Sequence, residues 1–158
     1  MPDLRPHPHG RYFEEFTAGE RIVTRARTVT ETDVVAFAAL TGDWNPIHSD
    51  AVLAATTPFA QRVAHGALGL SLAIGLAART GMMEGTVLAF REIEEWKFRL
   101  PVFLGDTIRA ELTVEDTRPL PKLGGGAVVI GADVKNQRDE SVMRGRWTVL
   151  FQSKPPAA

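Results

Sequence analysis

The chain has 158 residues, 44% hydrophobic and 23% charged, with 18 Lys plus Arg against 19 Asp plus Glu and a net charge of -1. That length suits one globular domain with a proper core, domains clustering at about 100–150 residues. The near-neutral balance offers no basic stripe for a phosphate backbone, and the lack of cysteine excludes disulfides, thiolate nucleophiles and Cys-based metal centres.

In chain order, residues 1–10 hold three prolines and the pair His7 and His9. They read as a flexible tail, with no apolar core for a signal peptide and no anchored metal site. One domain is expected over residues 11–153, with a second short tail at 154–158. Tyr12, Phe13 and Phe16 form an apolar patch that docks the tail on the body. Arg21 to Val29 alternates as a half-buried strand does. Thr30 and Asp33 resemble a capping box, with Asp where Glu or Gln is usual, so the apolar stripe behind them predicts a helix over Thr30 to Leu40.

Gly42 stops that helix, and Thr41 to Ser49 follows as a turn or short loop constrained by Pro46. Asp43, Asn45 and His48 lie within it. A carboxylate, an amide and an imidazole on one constrained loop can converge on a water and move its proton. Asp and Asn are also ordinary turn residues, so the loop alone does not decide.

Asp50 to Ala55 predicts one or two helical turns, and Thr56 to Val63, with Pro58 and Phe59, is irregular. Ala64-His65-Gly66-Ala67 then opens Leu68 to Ala78, a helix apolar on almost every face and therefore expected to be buried. It is too short to span a bilayer, and the chain reads as a soluble cytoplasmic protein with no membrane partner. Free N–H groups and the positive dipole end near Gly66 favour negative charge. Taken alone, however, Gly66 reads first as a close packing contact and His65 as a satisfied half-buried histidine.

After Gly81 the pattern changes. Val87 to Val102 is a long mixed run. Thr107 to Glu115, Ala127 to Asn136 and Val142 to Phe151 alternate, with a Pro/Gly-rich loop over 117–126 and a hairpin turn at Gln137 to Glu140. Three or four long strands joined by hairpins make an antiparallel sheet. With one apolar helix inside the order, the fold class is α+β, a sheet wrapped around a buried helix.

Phe37-Ala38-Ala39-Leu40-Thr41-Gly42-Asp43-Trp44-Asn45-Pro46-Ile47-His48 closely resembles the hydratase motif of the MaoC-like dehydratases and (R)-specific enoyl-CoA hydratases. His65-Gly66 resembles the family's second signature, and Phe98 to Asp106 a third. The likeness spans roughly residues 12–152. It implies a single hotdog fold, a long antiparallel sheet around a central helix. It also implies an enzyme that reversibly adds water to a trans-2-enoyl thioester.

By that resemblance, Asp43 and His48 are the catalytic pair that holds and activates the water, with Asn45 as supporting amide. The Gly66 N–H is the oxyanion donor for the thioester carbonyl, and Trp44, Phe59, His65, Ala67 and Leu68 are the expected substrate contacts. The resemblance implies no metal and no organic cofactor, coenzyme A being part of the substrate. The substrate would be an acyl-CoA or acyl-carrier thioester, and the assembly a homodimer or a dimer-based higher oligomer, with no nucleic-acid partner. Two positions depart from the pattern. Trp44 fills a place often held by phenylalanine, and Ile74 stands where some relatives carry a serine beside the catalytic Asp, so Asp43 is held by something else, such as Asn45 or backbone, or its site is drier. A catalytically silent acyl-thioester-binding subunit and a hotdog thioesterase are the alternatives. The intact Asp43 and His48 weigh against the first, and the Asp-x-Asn-Pro-x-His loop against the second.

Overall fold

The computed structural model describes residues 10–155, so the expectations for His7, His9 and the terminal tails fall largely outside the described residues. Thr30 caps helix α1 (Glu31–Thr41). Its Oγ1 accepts from the Asp33 N–H at 3.3 Å, and the Asp33 carboxylate accepts from the Thr30 N–H at 2.8 Å, which closes the expected box. Arg27 pairs with the same carboxylate. Burial alone would raise the Asp33 pKa, but the Thr30 hydrogen bonds and the Arg27 charge outweigh it and hold the group below its usual value. A depressed folded pKa gives stability that is complete above the unfolded value and lost as pH falls through the folded one. Thermal unfolding of Asp33→Asn is therefore expected to show a weaker acid dependence than the parent chain. Gly42, at φ +79°, ends the helix as expected.

Helices α2 (Pro46–Ser49) and α3 (Ala51–Ala54) follow, and α4 (Gly66–Ala78) is the long apolar one. The strands are β1 (Arg21–Val23), β2 (Arg27–Thr28), β3 (Val87–Phe98), β4 (Thr107–Leu120), β5 (Gly125–Lys135) and β6 (Ser141–Gln152). The sheet is antiparallel in the order β1-β4-β5-β6-β3, with β2 also on β4. Every second residue of the long hairpins points inward. Ile108, Ala110, Leu112 and Val114 of β4, Ile130, Ala132 and Val134 of β5, and Trp147, Val149 and Phe151 of β6 are buried. Leu68, Ala73, Leu76 and Ala77 of α4 complete this core. Phe16 docks the N-terminal segment on Phe151, with ring centroids 4.4 Å apart. This α+β architecture is the hotdog arrangement.

Three expectations need correction. Arg21 to Val29 is two short strands, because at Thr24 the side-chain Oγ1 takes the Ala110 N–H at 2.9 Å in place of a backbone rung. The segment 117–126 is ladder almost throughout, with Pro119 opposite Gly126 and a single 3-10 turn at Pro121–Leu123. Pro119 fits because β1 pairs β4 only at 111–113, so the missing N–H falls on an unpaired flank. Helix α4 is buried on one side only. Ala67, Ser71, Gly75 and Ala78 are exposed, since the sheet of one chain covers a single face of the helix.

The Phe98 to Asp106 signature begins at the last residue of the edge strand β3 and ends in a tight turn with Gly105 at φ +94°. Buried Asp106 accepts from the Phe103 N–H at 2.8 Å and the Gln137 Nε2 at 2.6 Å. Asp106→Ala strands both donors and is expected to cost about 1–3 kcal/mol, read as a shifted denaturant midpoint.

Candidate active site

The loop after α1 is more ordered than a turn. Pro46 has the fixed φ that suits a first helical position, and Asn45 caps the one-turn α2, its Oδ1 accepting from the Ile47 N–H at 3.2 Å. The Asn45 backbone N–H in turn donates to Asp43 Oδ1 at 3.2 Å, so Asp43 is held through backbone. Helix α2 carries His48 inward, where it is buried.

His48 Nδ1 lies 2.7 Å from the Val63 carbonyl oxygen. A carbonyl only accepts, so Nδ1 carries a hydrogen, and in the neutral ring Nε2 keeps its lone pair. The same reasoning fixes His65, whose Nε2 donates to the Asp43 carbonyl at 2.9 Å. His65 Nδ1 is buried without a partner among the described residues. The two imidazoles stack with centroids 3.8 Å apart and planes 29° from parallel, and Phe37 lies 5.1 Å from the His65 ring. Asp43 Oδ2 is 3.9 Å from His65 Nε2. Asp43, His48 and His65 thus form one cluster, one ligand atom of each within 4.8 Å of the others.

Those three residues are the set of this kind among the described residues that could hold a metal ion. Each imidazole already spends one nitrogen on a carbonyl. The remaining lone pairs lie in the planes of two stacked rings, and nearly parallel planes do not aim them at one point between the rings. The donor set suits water and protons better than a shared ion.

His65 is the N-cap of α4 and offers its first turn no side-chain cap. The N–H groups of Gly66, Ala67 and Leu68 meet no acceptor among the described residues, which leaves an uncapped helix N-terminus beside the cluster. A cavity of about 540 Å³ opens there, lined by Phe59, His65, Gly66 and Ala67 from one side and by Phe98 and Met143 from the sheet. A Cβ at Gly66 would sit 2.9 Å from the Phe98 ring, and one at Gly69 would sit 2.8 Å from Met143 Cε. Glycine at both places lets two facing side chains close on the helix.

Of the expected site residues, Asp43, His48 and His65 come together, with Asn45 supporting the loop. Gly66, Ala67 and Phe59 line the cavity. Trp44 is half-exposed and Leu68 is buried in the core, and neither lines it. Ile74 packs half-buried against the core. Phe98 and Met143 were missed by sequence reasoning, although they are register partners across β3 and β6 and both fall in step with inward-facing positions.

The chain is thus a hotdog protein in which a carboxylate and two imidazoles lie beside an uncapped helix N-terminus, next to an apolar cavity. The MaoC like domain family matches residues 14–136, and the chain belongs to that family. It is 37% identical over 112 residues to the (R)-specific enoyl-CoA hydratase of Aeromonas caviae, covering 65% of this chain and 81% of that one. Protein MaoC of Klebsiella aerogenes is 42% identical over 109 residues, 69% of this chain, but the chain spans only 32% of that protein's length. Among solved structures, the monoamine oxidase regulatory protein of Archaeoglobus fulgidus superposes with a TM-score of 0.85 at 37% identity, covering 92% of this chain and 97% of that one. Relatives of this family are named as hydratases and dehydratases of acyl thioesters. No described helix is long and apolar enough to cross a membrane.

Proposed function

We propose that the protein is an (R)-specific enoyl-CoA hydratase acting reversibly as a 3-hydroxyacyl thioester dehydratase. The observation that carries this reading is the convergence of Asp43 and His48 beside the uncapped N-terminus of α4. The Asp43 carboxylate and the His48 Nε2 lone pair are two acceptors for the hydrogens of one water. With both hydrogens held, the water's lone pair is free to attack C3 of a trans-2-enoyl thioester. Asp43 takes one proton as base while His48 shares the water. The hydroxyl bonds to C3, and the proton passes through the pair to C2. Charge gathers meanwhile on the thioester oxygen, where the Gly66 N–H and the dipole of α4 stabilise it without reorganisation. The reverse sequence expels water from a 3-hydroxyacyl thioester.

No step needs a metal or organic cofactor, so dialysis against a chelator is expected to leave turnover unchanged. A loss restored by added divalent ion would contradict this account. The acting unit is read as a homodimer or a dimer-based assembly. Strand β3 is an unpaired edge with Leu88, Phe90 and Ile93 exposed, and the open stripe of α4 lies uncovered. The reaction class is tested by following the enoyl absorbance of crotonyl-CoA together with free thiol release. Hydration lowers the absorbance and releases no thiol. Thiol release with the enoyl group intact would make the protein a thioesterase instead.

A further inference from the structure

The outer face of the sheet carries a concave groove of about 480 Å³ that runs up to the mouth of the apolar cavity. Arg99 lines both, so the two are continuous at the end of β3. Lys97 of β3 and Arg144 of β6 stand directly opposite each other in register, and both are exposed. Like charges in that relation repel and destabilise a sheet unless something neutralises them. Among the described residues, Lys97, Arg99 and Arg144 form no ion pair. The groove's other cations do, Arg146 with Glu95 at 2.9 Å and Arg21 with Glu111 at 3.5 Å. Asp133 faces Arg144 in register, but its carboxylate turns to the Ser141 hydroxyl at 2.5 Å and, among the described residues, makes no ion pair with Arg144. Glu115 and Glu111 belong to β4, two strands away from Arg144 on β6 and three from Lys97 on β3.

We infer that Lys97, Arg99 and Arg144 form a phosphate seat for the nucleotide end of coenzyme A, an inference that rests on the thioester reading above. The cavity holds the thioester beside Gly66, and the carrier leaves it past Arg99 onto the basic end of the groove. A groove of this size fits a small ligand. Compact phosphates reach three unpaired cations there, and Arg forks match phosphate oxygens bidentately. An acidic carrier protein would spread its charge over Glu95, Glu111, Glu115 and Asp133 as well, and be repelled by them.

The test is titration of the full chain with coenzyme A and with pantetheine, for the parent and for Lys97→Ala/Arg144→Ala. It is run beside KM measurements on crotonyl-CoA and crotonyl-pantetheine. The double variant is expected to weaken coenzyme A binding and raise KM for crotonyl-CoA about tenfold, leaving both pantetheine values within twofold. The single variant Arg144→Gln should show a smaller loss of the same kind, which covers the case of a poorly folded double variant. Unchanged coenzyme A affinity, equal losses for coenzyme A and pantetheine, or losses confined to an acyl-carrier-protein thioester would overturn the seat. Coenzyme A binding lost in the variant, with neither thioester hydrated by the parent, would uphold the seat and remove the hydratase reading.

Discussion

Asn in place of Asp43, or Ala in place of His48, is expected to slow hydration of an enoyl thioester about 10³-fold, while both variants still unfold cooperatively. Asp43→Asn keeps the shape and the acceptor for the Asn45 N–H but removes the charge that takes the water proton. His48→Ala removes the Nε2 acceptor whose tautomer is set by Val63. It also deletes one buried hydrogen bond and the stack on His65, so a stability loss of about 1–2 kcal/mol should accompany it. That loss leaves a folded protein, and kinetics at saturating substrate separate it from the chemical defect. Turnover within a few-fold of the parent in both variants would place the chemistry elsewhere.

The second large effect belongs to Gly66→Ala, expected to lower kcat/KM about 10²-fold, as loss of an oxyanion donor does. The new methyl would lie 2.9 Å from the Phe98 ring and push it off the helix N-terminus, into the space through which the thioester reaches the Gly66 N–H. Phe98 is exposed on its other side, so the ring can move and the fold should survive. The compensating change is a smaller side chain at Phe98. Gly66→Ala/Phe98→Leu should recover at least a tenth of the lost activity, whereas a purely structural defect at Gly66 would not respond to Phe98.

Local chemistry made much of this legible in sequence. The capping box at Thr30 and Asp33, the stop at Gly42 and the alternation of β4, β5 and β6 are set by neighbours in the chain, and they appear where the residues place them. The misread segments depend on distant partners. The break in the first strand exists because Thr24 meets Ala110, 86 positions away. Pro119 is tolerated in β4 because no described strand pairs with its open flank. The hydrophobicity of α4 signalled burial without saying that the sheet covers only one of its faces. At the site, Asp43 and His48 could be named from their shared loop. The stacking of His65 on His48 joins two loops, and the approach of Met143 and Phe98 to paired glycines of α4 joins strand to helix. Contacts of that kind carry no periodic signal.

The most direct measurement is the chirality of the product formed from crotonyl-CoA by the purified parent chain and by Asp43→Asn, read with an (R)-specific 3-hydroxyacyl-CoA reporter. The parent is expected to give an (R)-3-hydroxy product and the variant almost none at equal fold. Product of the (S) series, or equal (R) product from both proteins, would contradict it.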